Sequence, residues 1–391
     1  MAVLKLYRNK LQQNHQFLKQ HFDATNIDWG VVTKLLCGNA TILREVLNLG
    51  VREVHDSRVS NLRAVKKLDA SVQTVYIKPP PKRAIKSIVE CADVSFNSEF
   101  ETIRLLSEEA VRQEKVHKVI IMVELGDLRE GVMGEELVAF YAKVFELPGV
   151  EIIGLGTNLN CLHGVMPSQD KLIQLSLYKQ IIELKFDRKI PWISGGTTVT
   201  FPLLLSNRLP PGINHFRVGE ALFFGKNLFT GKTIAGMKDD VFELEAQIIE
   251  LTKKPVVPIG ELGENPYGDE FEVDEEDYGK RNVRAILDVG TLDISTKFLR
   301  CTDKKIEVVG ASSDMLVVDL GQNQKGRKVG DVLRFKLQYM GALHLLNSDY
   351  IDKKVVLPEA NTKNRSTRKN DTNTNAPTAS PNQEPLPVSE S

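Results

Sequence analysis

The chain of 391 residues carries no excess of either charge: 51 Lys and Arg stand against 51 Asp and Glu, for a formal net charge of zero. It therefore lacks the basic footprint of a nucleic-acid or anionic-membrane binder. No apolar run approaches the roughly 18 residues that a membrane helix needs. Lys5 and Arg8 interrupt the start before a signal-peptide core forms, so a cytoplasmic protein is expected. Cysteine is scarce as well. Cys37, Cys91, Cys161 and Cys301 lie far apart, without the close pairs of a zinc site or the density of a secreted disulfide scaffold, and read as reduced thiols. The G-x-G-x-x-G fingerprint of an open dinucleotide-binding sheet is missing after the first strand.

What is present is globular in composition, with 42% hydrophobic and 26% charged residues, and the length suits two or three domains. Residues 359–391 are dominated by Asn, Thr, Ser, Pro and Lys and cannot bury enough surface to offset their ordering entropy, so a disordered low-complexity tail is expected there. Between Trp29 and Gly219, short β-branched runs alternate with stretches of helical apolar spacing, the pattern of repeated βα units. Eight runs stand out: VVTKLL, EVHDS, TVYIK, DVSFNS, KVIIMVEL, VEIIGLGTN, PWISGG and HFRVG. Eight repeats within about 200 residues predict an α/β protein with a closed (β/α)8 TIM barrel, assigned to residues 1–236. From Met237 the rhythm changes to alternating strands without long helices, such as VFELEAQIIEL, MLVVDL and VLRFKLQY, which predicts a mostly antiparallel β domain over residues 237–358.

A barrel builds its active site at the C-terminal ends of its strands. The polar residues there are Lys34, Asp56, Ser57, Lys78, Asn97, Ser98, Glu124, Asp127, Arg129, Asn158, the loop Ser194-Gly195-Gly196-Thr197-Thr198, Arg217 and Gly219. Lysines, arginines and a Gly-rich loop, without a carboxylate and histidine cluster for a metal, suggest a site for a phosphate-bearing organic cofactor. Lys34 interrupts an apolar run, VVTKLLC, read as strand; an unpaired ammonium is costly to bury, and a Schiff base to an aldehyde removes that cost. A lysine at the strand mouth paired with an acid is the plainer alternative. The SGGTT loop suits phosphate binding by backbone N–H groups and hydroxyls, although a tight βα turn serves equally well. Arg217 and Glu220 are open to a structural ion pair. His163, in a loop, reads as solvated, and the carboxylate run from Gly268 to Asp277 reads as a solvated acidic loop without the ligand spacing of a calcium site.

These segments together resemble the alanine/ornithine racemase family, pyridoxal-phosphate enzymes with a barrel followed by a β domain. The resemblance runs from about Val3 to Val356 and is carried by VVTKLLCGN, DSRVSNL, VIIMVELGDLREGVM, VEIIGLGTNLNC, SGGTTVTFPLL, LPPGINHFRVGEALFFG and VVGASSDMLVVDLG. It implies that Lys34 carries pyridoxal 5'-phosphate and acts as one acid/base. It also implies that Ser194, Gly195, Gly196, Thr197, Thr198 and Gly219 hold the phosphate, with Tyr339 reaching it from the β domain. Arg217 then faces the pyridine nitrogen and Asn158 lies near the ring. Arg129 binds the substrate carboxylate, and Asp314 meets the substrate from a partner subunit, which implies a homodimer with shared sites.

Racemisation needs a second proton-transfer group on the opposite face. The resemblance points to Tyr267, in GELGENPYG, although a packing role in the loop stays open. Gly38 stands where alanine racemases have a tyrosine, and Met122 where many have a modified lysine. Both departures favour an ornithine-like substrate over alanine. A non-catalytic cofactor carrier is the first alternative, disfavoured by the added β domain. A D-amino-acid lyase of the aldolase or dehydratase type is the second, disfavoured because the β domain shows no His and Cys metal-ligand pair.

Overall fold

The computed structural model describes residues 2–264, 268 and 272–358. Tyr267 and the low-complexity tail therefore lie outside the described residues. In chain order the first strands are β1 (Val3–Tyr7), β2 (Asp28–Val32), β3 (Glu53–Asp56), β4 (Gln73–Tyr76), β5 (Val94–Asn97), β6 (His117–Met122), β7 (Val150–Gly156), β8 (Trp192–Ser194), β9 (Gly196–Thr197) and β10 (His215–Val218). Strands β2 to β10 form one parallel sheet in the order β8-β7-β6-β5-β4-β3-β2-β10-β9. Side chains close the gap between β8 and β10: Asn214 accepts from the Ile193 N–H at 2.7 Å and donates to the Pro191 carbonyl, while His215 Nδ1 lies 2.7 Å from Ser194 Oγ. The result is a nearly closed parallel barrel. All eight predicted strand runs fall on these strands, because strands buried on both faces read as continuous apolar stretches.

One assignment shifts. The run VVTKLL does not continue as strand: β2 ends at Val32, and Lys34–Leu36 form a 3₁₀ turn that buries Leu35 and Leu36 and leaves Lys34 exposed. Lys34 thus sits beyond the strand end rather than inside it, and escapes the burial cost expected from the sequence.

The second sheet contains β11 (Phe242–Pro255), β12 (Arg281–Leu287), β13 (Leu299–Cys301), β14 (Glu307–Ala311), β15 (Leu316–Asp319), β16 (Val332–Leu337) and β17 (Asp352–Val356). Its main path is β13-β16-β11-β12-β15-β14, antiparallel throughout. Alternation is clean in β11, where Phe242, Leu244, Ala246 and Ile248 are buried between more exposed residues. Strand β1 also joins this sheet, pairing antiparallel with β11 and parallel with β17. The chain therefore starts in the β sheet and then enters the barrel through the helix Arg8–Thr25. That helix buries Phe22 against Trp29, Phe201 and Phe216. No helix among the described residues is long and apolar enough to cross a membrane.

Candidate active site

A cavity of about 600 Å³ opens at the ends of the barrel strands. Lys34 reaches it from the turn after β2, Ser57 from after β3 and Lys78 from after β4. Arg129 and Glu130 follow β6, Asn158 and Cys161 follow β7, and Thr197, Thr198, Arg217, Gly219 and Glu220 come from β9, β10 and the loops beyond them. Tyr339 is the contribution of the β domain. It opens the helix Tyr339–Asn347 directly after β16, and burial, with the Glu220 charge adding, raises its phenol pKa.

Residues behind the wall set the aim of those on it. Asp56 is fully buried and accepts from Thr33 Oγ1 at 3.0 Å, Asn61 Nδ2 at 3.1 Å and the Arg58 N–H at 2.9 Å, so the turn that presents Lys34 is tied to β3. Burial raises the Asp56 pKa, and these hydrogen bonds oppose the rise. Asp127 does the same for the opposite wall. Its carboxylate, also fully buried, accepts the N–H groups of Cys161, Leu162, His163 and Val165, clamping the loop after β7 onto the loop after β6. Burial alone would raise its pKa, but these four bonds outweigh it and the net shift is downward.

Arg217 is nine-tenths buried on β10. Its Nη2 donates to the carbonyls of Thr157 and Ser194 rather than to Glu220, and its guanidinium carbon lies 5.0 Å from the centre of the Phe96 ring. Burial pushes its pKa down to about 10, so it remains a cation at neutral pH. Its Nε is buried without a hydrogen-bond partner. A buried unpaired donor is costly, and an aromatic ring nitrogen in the cavity would satisfy it. Thr198 Oγ1 accepts from the Ala221 N–H at 3.1 Å, which joins the hydroxyl loop to the turn at Gly219, where a side chain would stand 3.2 Å from Val32 Cβ. The Lys34 amine, the orphan Nε, the threonines and the side-chain-free turn at Gly219 fit a phosphorylated pyridine aldehyde.

Not every residue proposed from the sequence lies on this wall. Ser194 is buried beneath it, its Oγ bonded to His215. Gly195 and Gly196 also lie off the cavity. A Cβ on Gly196 would stand 2.1 Å from the Phe216 ring, and one on Gly195 would meet Ile213 at 3.0 Å, so both glycines are explained by close packing. Asn97 is buried and bonded to Ser95, and Asp314 is exposed in the turn between β14 and β15. Conversely, Glu130 and Cys161 were missed. Their only signal was proximity to Arg129 and Asn158 in the chain.

Below Arg217 the barrel interior holds Glu53, His55 and His215. Glu53 Oε1 lies 2.5 Å from His55 Nε2 and 2.8 Å from His215 Nε2. Tetrahedral metal ligands stand roughly 3.3 Å apart, so these spacings describe a hydrogen-bonded triad. Burial opposes the Glu53 charge, but the two histidines outweigh it and lower its pKa. A second cavity, of about 420 Å³, opens beside this triad at the end where the strands begin, away from Lys34.

Residues 7–227 match the alanine racemase N-terminal domain family. The chain belongs to the alanine racemase family. It is 37% identical over 349 residues to an ornithine racemase from Acetoanaerobium sticklandii, covering 89% of this chain and 98% of that protein. It is 30% identical over 344 residues to a lysine racemase from Thermotoga maritima, covering 88% and 95%. Among solved structures, the alanine racemase from Bartonella henselae with covalently bound pyridoxal phosphate shares the fold, with a TM-score of 0.69 at 16% identity over 91% of this chain and 99% of that one. This member of the family is a pyridoxal-phosphate-dependent amino-acid racemase.

Proposed function

We propose that this racemase acts on a dibasic amino acid, ornithine or one close to it, in preference to alanine, and that it works as a cytoplasmic homodimer. The observation that carries the site assignment is the convergence of Lys34 and Arg217, whose buried Nε has no partner, on one cavity. The similarity to the ornithine and lysine racemases along nearly the whole chain supports the substrate class.

Lys34 would hold the cofactor aldehyde covalently and, once released, move the Cα proton on one face. Thr197, Thr198 and Gly219 would bind the phosphate, and Tyr339 would reach it from the β domain. Arg217 would donate from Nε to the ring nitrogen. As a donor it would leave that nitrogen unprotonated, which would restrain transamination. Asn158 would pack beside the ring and Arg129 would bind the substrate carboxylate. When bound, pyridoxal phosphate supplies the electron sink that acidifies the Cα–H bond.

Tyr267 is our candidate for the second proton-transfer group, supplied with Asp314 by a second copy of the chain. The exposure of Asp314 away from this chain's cavity is consistent with that arrangement. Four free thiols support a reducing compartment.

Borohydride reduction followed by peptide mapping tests the lysine, with the adduct expected on Lys34. Solvent-deuterium exchange at Cα across L-ornithine, L-lysine, L-alanine and L-serine tests the substrate. Fastest exchange with alanine would refute the dibasic reading.

A further inference from the structure

The loop after β6 presents two adjacent charges, and their geometry separates their roles. Arg129 donates from both Nε and Nη2 to the two carboxylate oxygens of Glu130, the Nη2 bond measuring 2.5 Å. This occupies one edge of the guanidinium in the bidentate arrangement that fixes its plane. Nη1 takes no part in this pair, and both residues line the cavity. Glu130 is itself held, since its side chain is only 11% exposed and it accepts from Asn158 Nδ2 at 3.2 Å across the gap to the loop after β7.

The backbone beneath them is equally constrained. The Glu124 carboxylate accepts the N–H groups of Gly126, Leu128 and Arg129, and Gly131, at φ 149°, brings the returning strand against Glu124. With the loop so tied, the aim of the Arg129 side chain depends on its partner. The strand end below, Met122 and Val123, is buried and apolar and offers no anion. Glu130 also counters the repulsion between Arg129 and Arg217, both of whose charges it feels.

We propose that Glu130 is a positioning residue: it orients Arg129 for the substrate carboxylate and does not bind the distal ammonium of a dibasic substrate. Its Oε1 already accepts from both Arg129 Nη2 and Asn158 Nδ2, and Oε2 from Arg129 Nε. Three of the carboxylate's roughly four acceptor positions are thus taken, and an ammonium would compete with the guanidinium for the same charge. This inference rests on the racemase reading of Arg129 given above.

The test uses the Glu130→Gln holoenzyme and three probes. L-Ornithine has a carboxylate and a distal amine, L-norvaline has the carboxylate alone, and 1,4-diaminobutane has the amines alone. Affinities are read from the absorbance of the bound cofactor, and KM and kcat from Cα deuterium exchange. Loss of a charge-assisted bidentate partner should weaken ornithine and norvaline together by about tenfold or more and leave diaminobutane unchanged. The effect should fall on KM more than on kcat. Weakening of ornithine and diaminobutane with norvaline spared would overturn the proposal in favour of an ammonium site. Equal weakening of all three, or of none, would also overturn it.

Should Glu130→Gln fold poorly, Glu130→Asp read on the same three probes provides the second variant. In an Arg129→Ala background, Glu130→Gln should add little to the loss of amino-acid affinity, because it acts through Arg129. A wild-type holoenzyme that exchanges no amino acid would instead defeat the racemase reading, an outcome distinct from every result with the variants.

Discussion

The Nη2 of Arg217 donates to the carbonyl of Thr157, at the end of the neighbouring barrel strand but one, and also to that of Ser194, while its buried Nε has no partner. Two carbonyls and one aromatic face hold the cation on the cavity wall, in the proposed place beside the cofactor ring. Replacing Arg217 with Gln removes the charge and leaves at least one of these buried carbonyls unpaired. The unpaired carbonyl lowers stability; loss of the charged donor proposed for the cofactor ring, worth about 2–3 kcal/mol, separately lowers kcat/KM roughly 30- to 150-fold for the preferred amino acid. Steady-state kinetics on the variant checks it, and an unchanged kcat/KM would refute the role.

Asp127 makes a different prediction, because it holds loops rather than chemistry. Asp127→Asn places an amide donor among four backbone N–H donors and should cost about 2 kcal/mol of stability, with a raised KM as the Cys161 loop loosens. The pKa of Asp127 is depressed in the folded state. Its stabilisation is therefore present above the ordinary carboxylate value and is lost as pH falls through the folded value. Thermal melts of wild type and variant should differ at neutral pH and converge in strong acid.

Gly196 distinguishes a packing role from a phosphate-binding role in the SGGTT loop. A Cβ there meets three ring atoms of Phe216 at 2.1 to 2.4 Å. Gly196→Ala should cost about 3 kcal/mol or more through overpacking. Cofactor affinity of the fraction that folds should stay close to wild type. A melt unchanged from wild type, with cofactor affinity lost, would return Gly196 to the phosphate site.

His117 is buried on β6 with Nε2 2.8 Å from Ser95 Oγ, and burial pushes its pKa down to about 4. Between pH 4 and 6.5 the unfolded chain binds a proton at this residue that the folded chain does not, so stability rises with pH across that window. The span corresponds to about 3 kcal/mol at most. His117→Gln should flatten the pH dependence of Tm between 4 and 6.5, and an undiminished slope would place the titration elsewhere.

Much of the architecture was legible because its signals are local. The strand DVSFNS and the helix after it are marked by period and composition, and β5 and the helix Phe100–Arg112 lie there. Local signals also have limits. Nothing in VVTKLL distinguishes strand from turn, since Leu35 and Leu36 are buried either way; only the Thr33 bonds to β3 show where the strand stops. Strand β1 escaped notice because its partners, β11 and β17, lie more than 200 residues away in the chain.

The sequence by itself determined a neutral chain with βα repeats followed by alternating strands, and a lysine, a hydroxyl loop and two arginines placed at strand ends. Those features depend on residue type and short-range period, which need no knowledge of distant contacts. Tertiary structure alone decided which of them share a cavity. Barrel closure put Thr157 and Ser194 around Arg217, sent Gly195 and Gly196 into the packing, and joined Glu53 and His55 of one strand to His215 of another. Closure is a non-local event, and no spacing along the chain encodes which side chains it brings within a hydrogen bond of each other.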